Sequence, residues 1–461
     1  MGVRRWISAA AADFCARHHV GAAVFVALAI ASSDASAATV LDLPHILALA
    51  DSNHPNVAAG RARVLEARAQ LDEAHYAPFS QFNMTGGVAL APQIYGDTVF
   101  SPNTDVSLSS SLGVAWQVNV SGVLPIWTFG KISNLWSAAE ANVKLNQAML
   151  EKDRDAVRSD VRKAYFGLQL AREGLALLAD VKEQLDKAKK KLEKSIAKDE
   201  GDPIDLAKLE AYTAEIEVRD SEATRYVGVA LAGLRFYTGV ADLDIPEGGL
   251  QPPRHKLGHV TRYLTAATLF RPEVAMARAG VAARSAQVQL ARSTLFPDVG
   301  LGLEAAISAA PEIANQLNPY VADPGNYFHY GVALVFQWKL DFLPGAARIR
   351  FAEAQLEEVR SQQRFALGGV GAEVEVAYNE VLDWQRRCTI YEKAVKASKR
   401  WVVMVQQGID FGTTPDKDII DAAKSYATNR YNLLNATMEL DLAMSKLALA
   451  TGWDAIAPDG T

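Results

Sequence analysis

Cysteine is almost absent from this 461-residue chain: there are two, Cys15 and Cys388. Cys15 lies in an N-terminal leader described below, so Cys388 stands alone in the remainder and no disulfide can form within it. The fold must then be held by packing or by assembly. Also missing are a Gly-rich phosphate loop, a G-x-S-x-G and an H-E-x-x-H. With them goes the sequence ground for an enzyme. His255 and His259 are four apart, but they lie in a Pro/Gly stretch without further ligands nearby, so neither a metal site nor a cofactor is expected. There is no basic excess. The net charge is −6, and −7 once the leader is removed (44 basic, 51 acidic residues), which argues against nucleic acid as a partner. With 31 glycines and 18 prolines the chain is near average in both, which argues against wholesale disorder.

Residues 1–37 read as a signal peptide. Arg4, Arg5 and Arg17 precede an apolar run from Val20 to Ile30, and Ala35-Ser36-Ala37 matches an A-x-A cleavage site. Ala38 is the expected first mature residue. The run is too short to cross a bilayer as a helix, which takes about 20 residues, so an N-terminal anchor is the weaker reading. No cysteine stands immediately after the cleavage site, so a lipid anchor is not expected there either.

What the chain does have is an internal duplication. Pro55, Val57, Arg61, Ala69 and Phe79 recur as Pro272, Val274, Arg278, Ala286 and Phe296. Further on, Ala164-Tyr165, Asp205 and Thr238-Gly239 recur as Ala377-Tyr378, Asp418 and Thr451-Gly452. The period is far above that of solenoid repeats, so this is one gene-sized duplication. Each half reads in the same order: a short helix (43–51; 259–270), a medium helix (55–76; 272–294), two strands, a very long helix, a turn and a return helix.

The strands carry period-two patterning. Over 107–122, Val114, Trp116, Val118 and Val120 alternate with Ala115, Gln117, Asn119 and Ser121. Over 327–338, Phe328, Tyr330, Val332, Leu334, Phe336 and Trp338 share one face. Shorter partners are marked by Phe82 and Met84, and by Leu301 and Leu303. Turn-forming loops are expected over 91–105 and 309–325. The alternation fits either a half-buried sheet or a transmembrane β-barrel with lipid outside and water inside. Four strands cannot close a barrel, and lipid does not tolerate an open edge, so the membrane reading requires several chains.

From Gly130 to Lys198 there is no proline, which allows a helix of about 100 Å at about 1.5 Å per residue. Its apolar positions (Leu168, Ala171, Leu175, Leu178, Val181, Leu185) step in threes and fours, as do Val370, Val374, Ala377, Val381, Trp384, Cys388 and Tyr391 in the second half. That is coiled-coil spacing. Each long helix ends in a turn, around Gly201 and Pro203 or around Gly412 and Thr414. Gly368, Gly369 and Gly371 predict a kink or a close helix approach.

At this point the chain resembles the TolC-type outer-membrane efflux protein family over nearly all of 38–452. The resemblance rests on the duplicated element order, on Leu124-Pro125-Ile126-Trp127-Thr128-Phe129-Gly130-Lys131 leading into the long helix, on the two Ala-Tyr pairs, and on Gly412-x5-Asp418-Ile419-x-Asp421-Ala422. It implies a mainly α fold with a small β part. Long coiled-coil helices would form a periplasmic α-barrel, and four strands per chain would join a trimeric transmembrane β-barrel. The implied layout is a first repeat over 38–239 (strands 79–123, helix pair 130–238), an equatorial linker over 240–258, a second repeat over 259–452 (strands 297–340, helix pair 345–450) and a tail over 453–461. Trp116, Val118, Phe336 and Trp338 would meet lipid. Asp418 and Asp421 would ring the periplasmic constriction, three apart on one helical face. Gly201, Pro203, Asp205, Gly412, Thr414 and Ile409 would form the gate and tip turns, with Ile409 and Thr414 standing where the family has an aromatic residue and an arginine. The implied role is the outer-membrane exit duct of a Gram-negative tripartite efflux or type I secretion system. Its implied partners are a periplasmic adaptor protein and an inner-membrane transporter. The rival reading is a periplasmic coiled-coil structural or interaction protein without a pore. The lysines from Lys187 to Lys198 read as a solvated face, with adaptor docking as the alternative.

Overall fold

A computed structural model of the chain describes residues 39–79, 81–95, 107–198, 201–253, 256–310, 323, 325–411, 413–415 and 418–453. The expected signal peptide, Gly412 and most of the two strand-connecting loops lie outside these residues.

The first half runs β1 (Thr39–Val40), α1 (Leu43–Asn53), α2 (Pro55–Tyr76), β2 (Phe82–Tyr95), β3 (Ser107–Trp127), α3 (Lys131–Ile196) and α4 (Pro203–Thr238). After β4 (Leu243–Asp244), the second half runs α5 (Val260–Phe270), α6 (Pro272–Ser293), β5 (Asp298–Ala309), β6 (Tyr327–Gln337), α7 (Phe342–Asp410) and α8 (Asp418–Thr451). Local chemistry explains many of the ends. Pro55, Pro203 and Pro272 sit in the first turn of α2, α4 and α6, where the missing N–H costs nothing. Asp202 accepts the Ile204 N–H to cap α4. Gly239 and Gly452, both at φ +73°, stop the two return helices in the left-handed conformation.

The duplication is visible in side-chain work as well as in order. Arg61 donates to the Asp51 and Ser52 carbonyls at the end of α1, and Arg278 donates to the Thr268 carbonyl at the end of α5. Thr238 and Thr451 each donate their hydroxyl back one turn, to the Leu234 and Leu447 carbonyls.

α3 lies beside α4 on one flank and α8 on the other, and α8 lies beside α7. The helical layer is therefore ordered α4-α3-α8-α7. The seam follows the expected spacing: Leu168, Val181, Leu185, Val374, Ala377, Val381 and Cys388 are all buried. Each such leucine or valine contributes about 1.5–3 kcal/mol on leaving water. α7 is unbroken through Gly368, Gly369 and Gly371. Among the described residues, a Cβ at Gly368 or Gly369 would meet nothing within 4 Å, so no close helix approach within the protomer explains these two glycines.

β2, β3, β5 and β6 pair as one antiparallel sheet in that order, and β1 pairs with β4 in parallel apart from it. β2 and β3 are longer than expected. β2 runs to Tyr95, into the region read as a loop, and Pro92 is accommodated by a register shift between Pro92 and Ile94. β3 continues past Gly122 to Trp127, and Pro125 is accommodated by a register shift between Pro125 and Trp127. β6 stops at Gln337, so Trp338, expected on the strand, lies just beyond it. No helix among the described residues is long and apolar enough to cross a membrane.

Candidate functional site: the strand face, the strand–helix junction and the helical tip

Register decides what each sheet face shows. One cross-strand row is Met84–Val120–Ala305–Tyr330, and the next on the same face is Gly86–Val118–Ile307–Phe328. The rows between them belong to the other face: Thr85–Asn119–Ala306–His329 and Gly87–Gln117–Ser308–Tyr327. The first face is large and apolar, and the second is small and polar. Trp116 and Phe336 fall on the apolar face with Val118, opposite Val88 and Val299. Within one protomer, Met84, Val88, Tyr330 and Leu334 are 72–77% exposed. A contiguous apolar surface of this extent marks contact with a partner or a membrane. β2 and β6 are both left as unpaired edges. On the polar face Glu304 and His329 lie 3.9 Å apart.

A junction of aromatic and charged groups joins the sheet to the helices. Phe129 (φ +50°) and Gly130 (φ +88°) turn the chain sharply into α3. Lys131, the basic end of the sequence motif, pairs with Asp298 at 2.8 Å and donates to the Phe296 carbonyl at 2.9 Å. Phe129 stacks on Phe296 at 5.3 Å. The motif thus clamps the first half to the second across the start of α3. Trp338 does similar work: its indole N–H donates to the Leu295 carbonyl at 3.0 Å, and its ring packs edge-on to Phe336 and Phe342. Sequence reasoning expected Trp338 to face lipid, and its hydrogen bond to Leu295 was not foreseen.

At the far end, the two hairpin tips meet. Gly201 is required by a close approach, since a Cβ there would lie 2.8 Å from the Ile196 backbone N and Cγ1. Pro203 opens α4, and Asp205, in its first turn, pairs with Lys208 at 3.2 Å. Asp205 and Ile409 come together as walls of one cleft of about 270 Å³ between the hairpins, with Leu209, Ile419 and Ile420. Thr414 is not in that cleft. Its N–H, like that of Thr413, donates to the Gly408 carbonyl, at 3.2 and 2.9 Å. Gly408 was not foreseen: a Cβ there would collide with the Thr414 side chain. Asp418 (half-buried) and Asp421 (exposed) stand in the first turn of α8, whose partial positive charge suits them. Neither forms an ion pair with a described residue, and neither lines the cleft to the first hairpin. The cleft is lined instead by Ile419, Ile420 and Ala423.

Among the described residues no group of three or more His, Cys, Asp or Glu could hold a metal ion. His255 lies outside those residues, and His259 caps α5 by accepting the Thr261 N–H.

Comparison with known proteins follows the same lines. The family model described as "Outer membrane efflux protein" matches residues 46–197 and 264–453. The chain is 20% identical to the "Probable outer membrane lipoprotein SilC" of Salmonella typhimurium over 416 residues, covering 87% of this chain and 84% of that protein. It is 27% identical to the "Pyoverdine export outer membrane protein OpmQ" of Pseudomonas putida over 195 residues, 41% of this chain and 39% of that one. Among solved structures, the open-state MtrE outer membrane channel of Neisseria gonorrhoeae superposes with a TM-score of 0.73 at 16% identity, covering 89% of this chain and 88% of that one. With the family match spanning both halves, the sheet is the outer-membrane part and the helices are periplasmic, and the chain belongs to the outer membrane efflux protein family.

Proposed function

We propose that three copies of this chain close one passive exit duct through the outer membrane, and that it is a channel rather than an enzyme. The observation that carries this is the sheet: one continuous apolar face, one small polar face and two unpaired edges. An open edge in hydrocarbon leaves several backbone groups unsatisfied. Pairing β6 of one copy with β2 of the next removes both edges, and three copies of four strands give a twelve-stranded barrel. The helical layer has matching open flanks. Phe236 on α4 and Val376, Leu382 and Ile390 on α7 are exposed apolar residues on its two end helices, suited to the same rotation. The rival without a pore would need another cover for the apolar face.

In this reading Asp418 and Asp421 from three copies place six carboxylates at the periplasmic end, favouring cations. Gly201, Pro203, Asp205, Ile409 and Thr414 shape the tip. A periplasmic adaptor and an inner-membrane transporter open it. The names of OpmQ and MtrE, an export protein and a channel, are in keeping with export, and selection among substrates falls to the inner-membrane partner.

The test is single-channel conductance of the purified trimer in planar bilayers, wild type against Asp418→Ala/Asp421→Ala. The expected result is a small cation-selective current whose selectivity and polyvalent-cation block are lost in the variant. Pores indifferent to the variant would remove the carboxylate ring and keep the duct; a folded trimer without pores would remove the duct.

A further inference from the structure

The four strands of the large sheet carry few groups that can bear charge. β2 and β3 contain no Asp, Glu, His, Lys or Arg; β5 contains Asp298 and Glu304, and β6 contains His329. Asp298 is paired with Lys131 at 2.8 Å. Glu304 and His329 remain, and strand register puts both on the small polar face. His329 sits opposite Ala306, and Glu304 sits between Ser121 and Gly331. His329 Nε2 lies 3.9 Å from Glu304 Oε1, and each side chain is 54% exposed. The Tyr327 ring stacks on the imidazole at 5.2 Å. From β3 this part of the face receives Gln117, Asn119 and Ser121, none of which titrates.

We propose that the Glu304–His329 pair is a charge filter in the wall of the outer-membrane barrel, favouring cationic over anionic cargo while His329 is neutral and losing that preference once His329 is protonated. The inference rests on the exit-duct reading, in which the polar face lines the lumen, and adds a selective element far from the periplasmic tip. Three copies place three such pairs at one level of the wall. With His329 neutral, each pair carries the single negative charge of Glu304; with His329 protonated, each pair is neutral. Histidine is the side chain that ordinarily changes charge between pH 5 and 8, so the wall responds to acid outside the cell. The reach of the filter depends on salt. Twelve strands about 4.8 Å apart and tilted by about 40° give a backbone radius of about 12 Å. The screening length is about 10 Å at 0.1 M salt and about 30 Å at 0.01 M. The field therefore extends to the axis in dilute media and stays near the wall in concentrated ones.

The experiment reads the local potential with a cysteine beside Glu304. Gly331 is the cross-strand partner of Glu304, and a Cβ there would meet nothing within 4 Å. The chain's own Cys388 is buried, and trimers without a new cysteine are the blank. Full-length Gly331→Cys trimers are treated with a cationic or an anionic methanethiosulfonate of similar size. The ratio of the two rates is compared, because the thiol's own reactivity cancels from it. At pH 8 and about 0.01 M salt the cationic reagent is expected to be faster. Glu304→Gln is expected to lower the ratio about fivefold or more, the size set by a unit charge about 5 Å away in water, and about 1 M salt to shrink that difference. From pH 8 to pH 5.5 the ratio is expected to fall toward the Glu304→Gln value, and His329→Asn to flatten the fall. A ratio that Glu304→Gln leaves unchanged overturns the filter, as does a pH response that His329→Asn leaves undiminished; either leaves the duct intact. If Gly331→Cys trimers do not assemble, Ser308→Cys, on the same face, replaces it. Folded trimers in which neither reagent reaches the new cysteine overturn the duct and the filter together, since the polar face is then not in water.

Discussion

Arg61 and Arg278 do one job in two places: each satisfies carbonyl oxygens at the end of a short helix that would otherwise have no partner. Replacing either with alanine is expected to lower unfolding stability by about 1–2 kcal/mol, the usual range for a charged donor removed from a carbonyl. Denaturant titration of the detergent-solubilised protein would show it. Asp441 behaves differently. Desolvation on α8 pushes its carboxyl from 3.8 up to about 7. The folded chain therefore holds a proton between these values that the unfolded chain has released, so stability falls as pH rises from about 4 to about 7 and is level above. Asp441→Asn is expected to abolish that slope and to melt higher than wild type at pH 8 but not at pH 4; melting temperatures at the two pH values decide it. Both arginines were legible as repeat anchors. Asp441 was not, because nothing in its neighbours along the chain says which helices will cover it.

At the scale of elements, the helices were the most readable. Pro55–Tyr76 was expected and found, and the long helices follow apolar steps of three and four, a pattern that local spacing alone defines. β2 and β3 ran past their expected ends, through Pro92 and Pro125. A register shift absorbs each proline, and register is a property of a sheet rather than of a segment. The junction after β3 gives an element-level prediction. Gly130 at φ +88° tolerates a side chain poorly, so Gly130→Ala is expected to cost about 1–2 kcal/mol. It should also loosen the Lys131–Asp298 clamp, measurable as faster proteolysis near residue 130 in the native protein.

Across the whole molecule, burial in one protomer and burial in the proposed trimer differ most at the sheet and at the helical flanks. An arginine on the apolar face, Val332→Arg, is expected to destabilise insertion by about 2–4 kcal/mol near the bilayer midplane, whereas Gln117→Arg on the opposite face is tolerated. Heat-resistant trimer bands from membranes reconstituted with each variant separate the two outcomes. On the α4 flank, Phe236→Glu places a charge at the proposed seam between copies. It is expected to shift the detergent-extracted protein from trimer toward monomer in size-exclusion chromatography with light scattering.

The sequence by itself determined the order of elements, the duplication, the period of each helix and strand, and which strand residues share a face. These depend on neighbours a few positions apart, and steric and hydrophobic preferences at that range are written directly into the residue string. Only the tertiary structure decided the contacts made across the chain. Lys131 reaches Asp298, Trp338 donates to the Leu295 carbonyl, and Ile420 packs against the core of the first hairpin. Those depend on where α8 and β5 come to rest against elements folded far earlier in the chain. No local period encodes that placement, because it is set by the packing of whole helices and the register of a whole sheet.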